Sequence, residues 1–226
     1  MKKKYLAAEF AAVFFLLVLP PLLVRSGEGS ATLVSAADFS WTALMQLAVA
    51  LFLDIQFRCT QRQVLPSAPA AAQSFQKLVT VLLWGSTTFG CLMLIYALMG
   101  TLALLLPSFF AAGRDFPVPA PGLLLALNLA AGAYYEEVLY RQFIPGSLRS
   151  LLPARRLAIP VELVSLLLFA FSHRYLGAPS VLNAALCGIM LRICCIRTGG
   201  VRTGAAVHFL YNMLLVLASA LLGGGG

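Results

Sequence analysis

Seven apolar runs divide this chain, at about 5–24, 41–57, 78–106, 121–148, 157–175, 178–196 and 203–222. Each is close to or above the ~20 residues that a helix needs to cross the hydrocarbon core of a bilayer. In lipid every backbone N–H and C=O must find its partner inside the protein, and a helix does that within one segment. Composition points the same way. Of the 226 residues, 61% are hydrophobic and 11% charged, with a mean hydropathy of +0.91. A soluble domain needs far more polar surface. The expected fold is therefore all-α: a polytopic integral membrane bundle of about seven transmembrane helices. The third run, punctuated by Gly85, Gly90 and Gly100, is long enough to tilt or kink.

The net charge of +8 does not indicate nucleic-acid binding, because the basic residues sit in short blocks between apolar runs, as topology determinants do. With Lys2, Lys3 and Lys4 inside, seven crossings also place Arg58, Arg62, Lys77, Arg149, Arg155, Arg156, Arg192, Arg197 and Arg202 inside. Only Arg25, Arg114 and Arg174 fall outside. The expectation is a multi-pass protein of the cytoplasmic membrane, N-terminus cytoplasmic and C-terminus outside. A signal peptide cleaved near Val34–Asp38 is disfavoured, since the apolar run is too long and the small-residue site too distant from it. The five cysteines form no CxxC pair and mostly lie in apolar runs, so they read as small core residues. The first 120 residues hold three spans without a motif, residues 121–222 hold the chemistry, and 223–226 form a glycine tail.

Only eight acidic residues and two histidines are present. Glu9, Glu28, Asp38, Asp54 and Asp115 lie near span ends or in loops and read as interfacial. Glu162 lies early in the fifth run, within reach of Arg155 or Arg156. Glu136, Glu137, Arg141, His173 and His208 remain, all in spans or at a span end. Charge at membrane depth is costly and marks function by default. Glu137 and Arg141 are i,i+4 and can pair on one helix face. Glu136 is turned about 100° from Glu137 and stays free as a candidate general base. Phe169 and His173 are i,i+4, as are His208 and Asn212.

These segments resemble a known family. EEVLYR (136–141) is similar to EExxxR, FAFSH (169–173) to FxxxH, and HFLYN (208–212) to HxxxN. These are motifs of the CPBP family of intramembrane proteases, which includes CAAX prenyl endopeptidases and bacteriocin-processing and immunity-type proteins. The TGGVRTGAAV segment before His208 also resembles the family's approach to its last motif, and the likeness covers roughly 121–215. Pro145–Gly146 follow the first motif, and Arg192 stands in the sixth run. The resemblance implies that Glu136 activates a water, that Glu137 and Arg141 support it, and that His173, His208 and Asn212 complete the site. The substrate class it implies is a membrane-associated or lipidated peptide.

Two schemes fit those residues. In one, Glu136, His173 and His208 hold a zinc ion with an open position for water. In the other, preferred here because HExxH is missing, no metal is used and His and Asn donors stabilise the oxyanion. A non-catalytic binding or immunity-type protein of the same fold and a proton-coupled transporter are the alternatives. Straight, upright helices would put Glu136 about 15 Å, His208 about 10 Å and His173 about 20 Å or more from the cytoplasmic ends of their spans. A shared site therefore requires tilt, or a fifth helix whose start is sunk in the membrane.

Overall fold

A computed structural model describes residues 3–24, 40–62, 71–110 and 121–223. The cleavage site near Val34–Asp38, Glu28, Asp115, Arg25, Arg114 and the glycines at 224–226 lie outside the described residues. Every regular element among the described residues is helical. Helix α1 (Lys3–Val13) runs through a π-turn (Phe14–Val18) into α2 (Leu19–Leu23). Then come α3 (Trp41–Arg62), α4 (Ala71–Leu105) and the short α5 (Pro107–Phe110). Helix α6 (Leu123–Glu137) passes through a second π-turn (Val138–Phe143) into α7 (Ile144–Leu151). The last three are α8 (Ala158–Phe171), α9 (Ala178–Thr198) and α10 (Val201–Gly223).

Five helical segments among the described residues are long and apolar enough to cross a membrane: Lys3–Leu23, Trp41–Cys59, Phe75–Leu105, Ala178–Thr198 and Val201–Leu221. Their outward faces carry large bare side chains, such as Phe52 (63% exposed), Leu94 (71%) and Leu104 (83%). That is the surface of a protein whose solvent is lipid. The other two of the seven apolar runs are also helical but differ in kind. The fourth, α6 to α7, carries Glu136, Glu137, Arg141 and Arg149 along its length. The fifth, α8, has 14 residues, about 21 Å of helix at 1.5 Å per residue, against a core of about 30 Å. The third run, for all its glycines, is one unbroken helix of 35 residues.

The α6–α7 rod is central. α6 packs between α3 and α10, α7 against α1 and α8, and α9 against α4, α8 and α10. Tyr135, Val138, Leu139, Tyr140 and Ile144 bury this rod in the largest apolar cluster. The hairpin from α8 to α9 turns at Gly177 (φ 94°), and α9 starts with Pro179 in its first turn, where a missing N–H costs nothing. It stops at Gly199 in the left-handed region (φ 71°), with the Gly199 and Gly200 N–H groups both on the Cys195 carbonyl.

Proline explains the second π-turn. The Ile144 N–H bonds the Leu139 carbonyl instead of that of Tyr140. Pro145 has no N–H, so it offers nothing to Tyr140 or Arg141 behind it. Side chains from neighbouring helices supply the donors. Ser165 Oγ on α8 donates to the Tyr140 carbonyl, and Arg192 Nη1 on α9 donates to the Arg141 carbonyl at 2.7 Å.

Two expected placements change. Asp54 is not interfacial: α3 continues to Arg62, and Asp54 is buried, accepting from Tyr134 Oη (2.7 Å) and Gln142 Nε2 (3.1 Å) and pairing with Arg58 (2.6 Å). Glu162 pairs with Arg149 (2.5 Å) and Arg192 (2.6 Å) rather than with Arg155 or Arg156. Those two occupy a 3₁₀ turn just before α8, while α7 and α9 pass beside Glu162. Among the cysteines, Cys187, Cys194 and Cys195 are buried and Cys91 half-buried, but Cys59 is exposed.

Candidate active site

The site forms where α6, the end of α8 and α10 meet. Glu137, the last residue of α6, is fully buried, and Arg141 one turn on is almost so. Arg141 Nε stands 3.4 Å from Glu137 Oε2, a close ion pair. Its angle is poor for a hydrogen bond. Glu137 Oε2 and all three guanidinium nitrogens are buried without a hydrogen-bond partner among the described residues. The guanidinium instead lies flat over the Phe169 ring, with Cζ 3.8 Å from its centroid. This cation–π contact offsets part of the desolvation.

His208 on α10 sits between the two glutamates. Its Nδ1 is 3.2 Å from Glu137 Oε1, and its Nε2 is 3.8 Å from Glu136 Oε2. His208 is 6% exposed and the Glu136 side chain 29%, so Glu136 is the open end of the cluster. A carboxylate can only accept, so the Nδ1–Glu137 contact puts the proton on Nδ1 in the neutral ring. The Nε2 lone pair then faces the Glu136 side.

Close approach of α10 makes this possible. A Cβ at Gly204 would lie 3.1 Å from Glu137 Oε2. Gly204 is one turn before His208 on the same face, so one helix face makes room for the carboxylate and also engages it.

His173 follows the end of α8. Its Nδ1 donates to the Phe169 carbonyl (2.9 Å) and lies 3.2 Å from Ser172 Oγ. Its ring meets Phe169 edge-on at 4.9 Å, and His208 meets the same ring edge-on at 6.2 Å. Both histidines thus reach one side chain, the Phe169 ring. α8 is short, and Glu162 near its start is already tied to Arg192, six residues before the end of α9. Asn212 is half-buried on α10, one turn after His208. Glu136, Glu137, Arg141 and His208 therefore touch directly, His173 joins them through Phe169, and Asn212 shares the His208 helix.

Glu136, His173 and His208 do not stand together as a ready three-ligand set for zinc. Among the described residues, no three His, Cys, Asp or Glu side chains are grouped to hold a metal ion. The Nδ1 contacts of His208 with Glu137 and of His173 with the Phe169 carbonyl leave Nε2 as the free nitrogen of each ring.

Sequence reasoning missed five supporting residues: Asp54, Ser165, Gly188, Arg192 and Gly204. Gly188 on α9 lets the Phe169 ring lie against that helix, since a Cβ there would be 3.0 Å from Phe169 Cδ1. One signal was available for two of them. A proline four residues after Arg141 leaves carbonyls that need outside donors, and Ser165 and Arg192 are such donors.

Comparison with known proteins adds to the geometry. Over 127 residues the chain is 35% identical to an uncharacterized protein of Treponema pallidum (strain Nichols), covering 52% of this chain and 70% of that protein. No solved structure matches it. Residues 118–214, which contain all three motifs, match the family described as type II CAAX prenyl endopeptidase Rce1-like. With Glu136, Glu137, Arg141, His173, His208 and Asn212 all inside that match, the chain belongs to the Rce1-like family of CAAX-type intramembrane proteases.

Proposed function

We propose that this protein is an endopeptidase of the cytoplasmic membrane, N-terminus inside and C-terminus outside, that hydrolyses a peptide bond of a membrane-associated or lipidated substrate with a water activated by Glu136. The observation that carries this reading is the placement of His208 between two carboxylates. One, Glu137, is buried and fixes the ring; the other, Glu136, is partly open. That division of labour suits general-base hydrolysis: an orienting acid behind the imidazole, and a reactive acid facing the space where water and substrate meet.

The steps balance without a metal. The Glu136 carboxylate takes a proton from water as the new C–O bond forms, and the carbonyl electron pair moves onto oxygen. Asn212 is the donor proposed to stabilise that oxyanion, while His208 and His173, with their ring protons on Nδ1, present Nε2 as the acceptor that orients the attacking water. When the intermediate collapses, the C–N bond breaks and the leaving amine takes the proton from Glu136. Glu137 and Arg141 stay charged and hold the His208 tautomer throughout.

The test is hydrolysis of a fluorogenic farnesylated CAAX peptide, and of its unfarnesylated form, by protein reconstituted in liposomes. Wild-type protein is expected to cleave. Glu136→Gln, a near-isosteric change at a partly exposed position, is expected to fold normally and lose at least ~100-fold in kcat, the scale of a lost general base. Full turnover by that variant would remove Glu136 from the role.

A further inference from the structure

Arg192 is a charged residue outside the site that bonds to two other helical segments. It lies on α9 and never reaches the glutamate pair. Its Nε and Nη2 both donate to Glu162 at 2.6 Å, a bidentate pair. Its Nη1 donates to the Arg141 carbonyl at 2.7 Å. That carbonyl belongs to the residue whose side chain pairs with Glu137, in the π-turn that Pro145 deprives of a donor. One guanidinium thus ties α9 and α8 to the backbone under Arg141.

A small cavity lies against the same group. This half-open pocket of about 20 Å³ borders Arg141, Glu162, Ser165 and Arg192, room for a single water. Arg141 is therefore supported from behind through its backbone carbonyl. An ion pair meant only to join α8 to α9 would not need the third donor on Arg141. The Arg149–Glu162 contact shows that simpler kind of pairing; with Arg149 half exposed, it is worth at most about 1 kcal/mol.

We propose that Arg192 is a positioning residue for hydrolysis: by donating to both the Arg141 carbonyl and the Glu162 carboxylate, it fixes the π-turn that sets Glu137 and Arg141 beside His208. The inference rests on the peptidase reading above. It predicts a loss in kcat rather than in substrate binding, because Arg192 touches the turn and not the space in front of Glu136.

Two variants separate positioning from plain stability. Arg192→Ala removes every contact. Arg192→Gln loses the bidentate ion pair but keeps an amide donor for the Arg141 carbonyl. With the farnesylated peptide, Arg192→Ala is expected to lose kcat by about 10-fold or more, as small displacements of catalytic groups do, with KM within about 2-fold. Arg192→Gln is expected to recover most of that loss although it melts no higher than the alanine variant. Unchanged kcat in Arg192→Ala, or equal impairment of the two variants in step with their melting temperatures, would overturn the proposal. A readout independent of turnover uses the two histidines of the chain. In ¹⁵N-histidine spectra the His208 Nδ1 signal should move in Arg192→Ala and stay in place in Arg192→Gln. An unmoved His208 signal in Arg192→Ala overturns the inference even if the wild-type protein cleaves nothing, whereas a moved signal with an inactive wild type sinks only the peptidase reading.

Discussion

Gly204 faces Glu137 so closely that a Cβ at position 204 would stand 3.1 Å from the Glu137 Oε2 and 3.8 Å from its Cδ. The buried carboxylate occupies the space where most helices carry a side chain. Gly204→Ala should raise the intrinsic helix propensity of α10 by about 1 kcal/mol. It should also push Glu137 or α10 aside by a few tenths of an ångström. Because His208 reads Glu137 through a single contact of 3.2 Å, turnover should fall about 10-fold or more while the melting temperature changes little. Wild-type kcat in Gly204→Ala would show that the cluster tolerates the shift.

Arg141 tests the buried pair. Its side chain is 3% exposed, and its partner Glu137 is fully buried. Arg141→Ala strands a carboxylate in a dry site and should cost about 3 kcal/mol or more. Arg141→Lys keeps the charge but not the flat contact on Phe169, and should fall between wild type and alanine. Thermal unfolding in detergent measures both. An alanine variant as stable as wild type would mean that the ion pair contributes nothing.

The helical membrane architecture was legible from the lengths of the apolar runs alone, because a bilayer demands about 20 residues per crossing. So was the pairing of Glu137 with Arg141, since one turn of helix geometry decides it. Asp54 was misplaced because its partners, Tyr134 and Gln142, lie 80 and 88 residues away. No local pattern announces such a contact. The Nδ1 contacts of the two histidines, with Glu137 and with the Phe169 carbonyl, were hidden for a related reason: spacing along the chain does not show which ring nitrogen is held. Gly188 and Gly204 read as ordinary membrane-helix glycines until the facing side chains are known.

Asp54 should matter to stability more than to chemistry. It anchors α3 to α6 through Tyr134 and to the π-turn through Gln142, on different helices from His208. Asp54→Ala leaves a phenol and an amide without their acceptor, at about 1–3 kcal/mol for each such group. Tyr134→Phe removes one bond and should cost about 1 kcal/mol. Melting temperatures should therefore order as wild type, Tyr134→Phe, Asp54→Ala, with the residual folded protein keeping a near-normal KM. An Asp54→Ala protein that melts like wild type but no longer cleaves would move Asp54 into the site.

Phe169 links the two histidines and the arginine, and Gly188 is what gives it room. A Cβ at position 188 would meet Leu166 Cδ1 at 2.8 Å and Phe169 Cδ1 at 3.0 Å. The Leu166 tip can rotate away. The phenyl ring cannot move freely, because it also carries Arg141 at 3.8 Å on its face and Tyr140, His173 and His208 around it. Gly188→Ala should therefore cost about 1–3 kcal/mol as overpacking and reduce turnover together with stability. The double variant Gly188→Ala/Phe169→Leu separates the two effects. The smaller side chain relieves the overlap and should recover part of the melting temperature. It also removes the aromatic face under Arg141 and the surface that both imidazoles lie against, so turnover should stay low. If the double variant regains full activity, Phe169 is only a space-filling residue and its ring does not connect the histidines functionally.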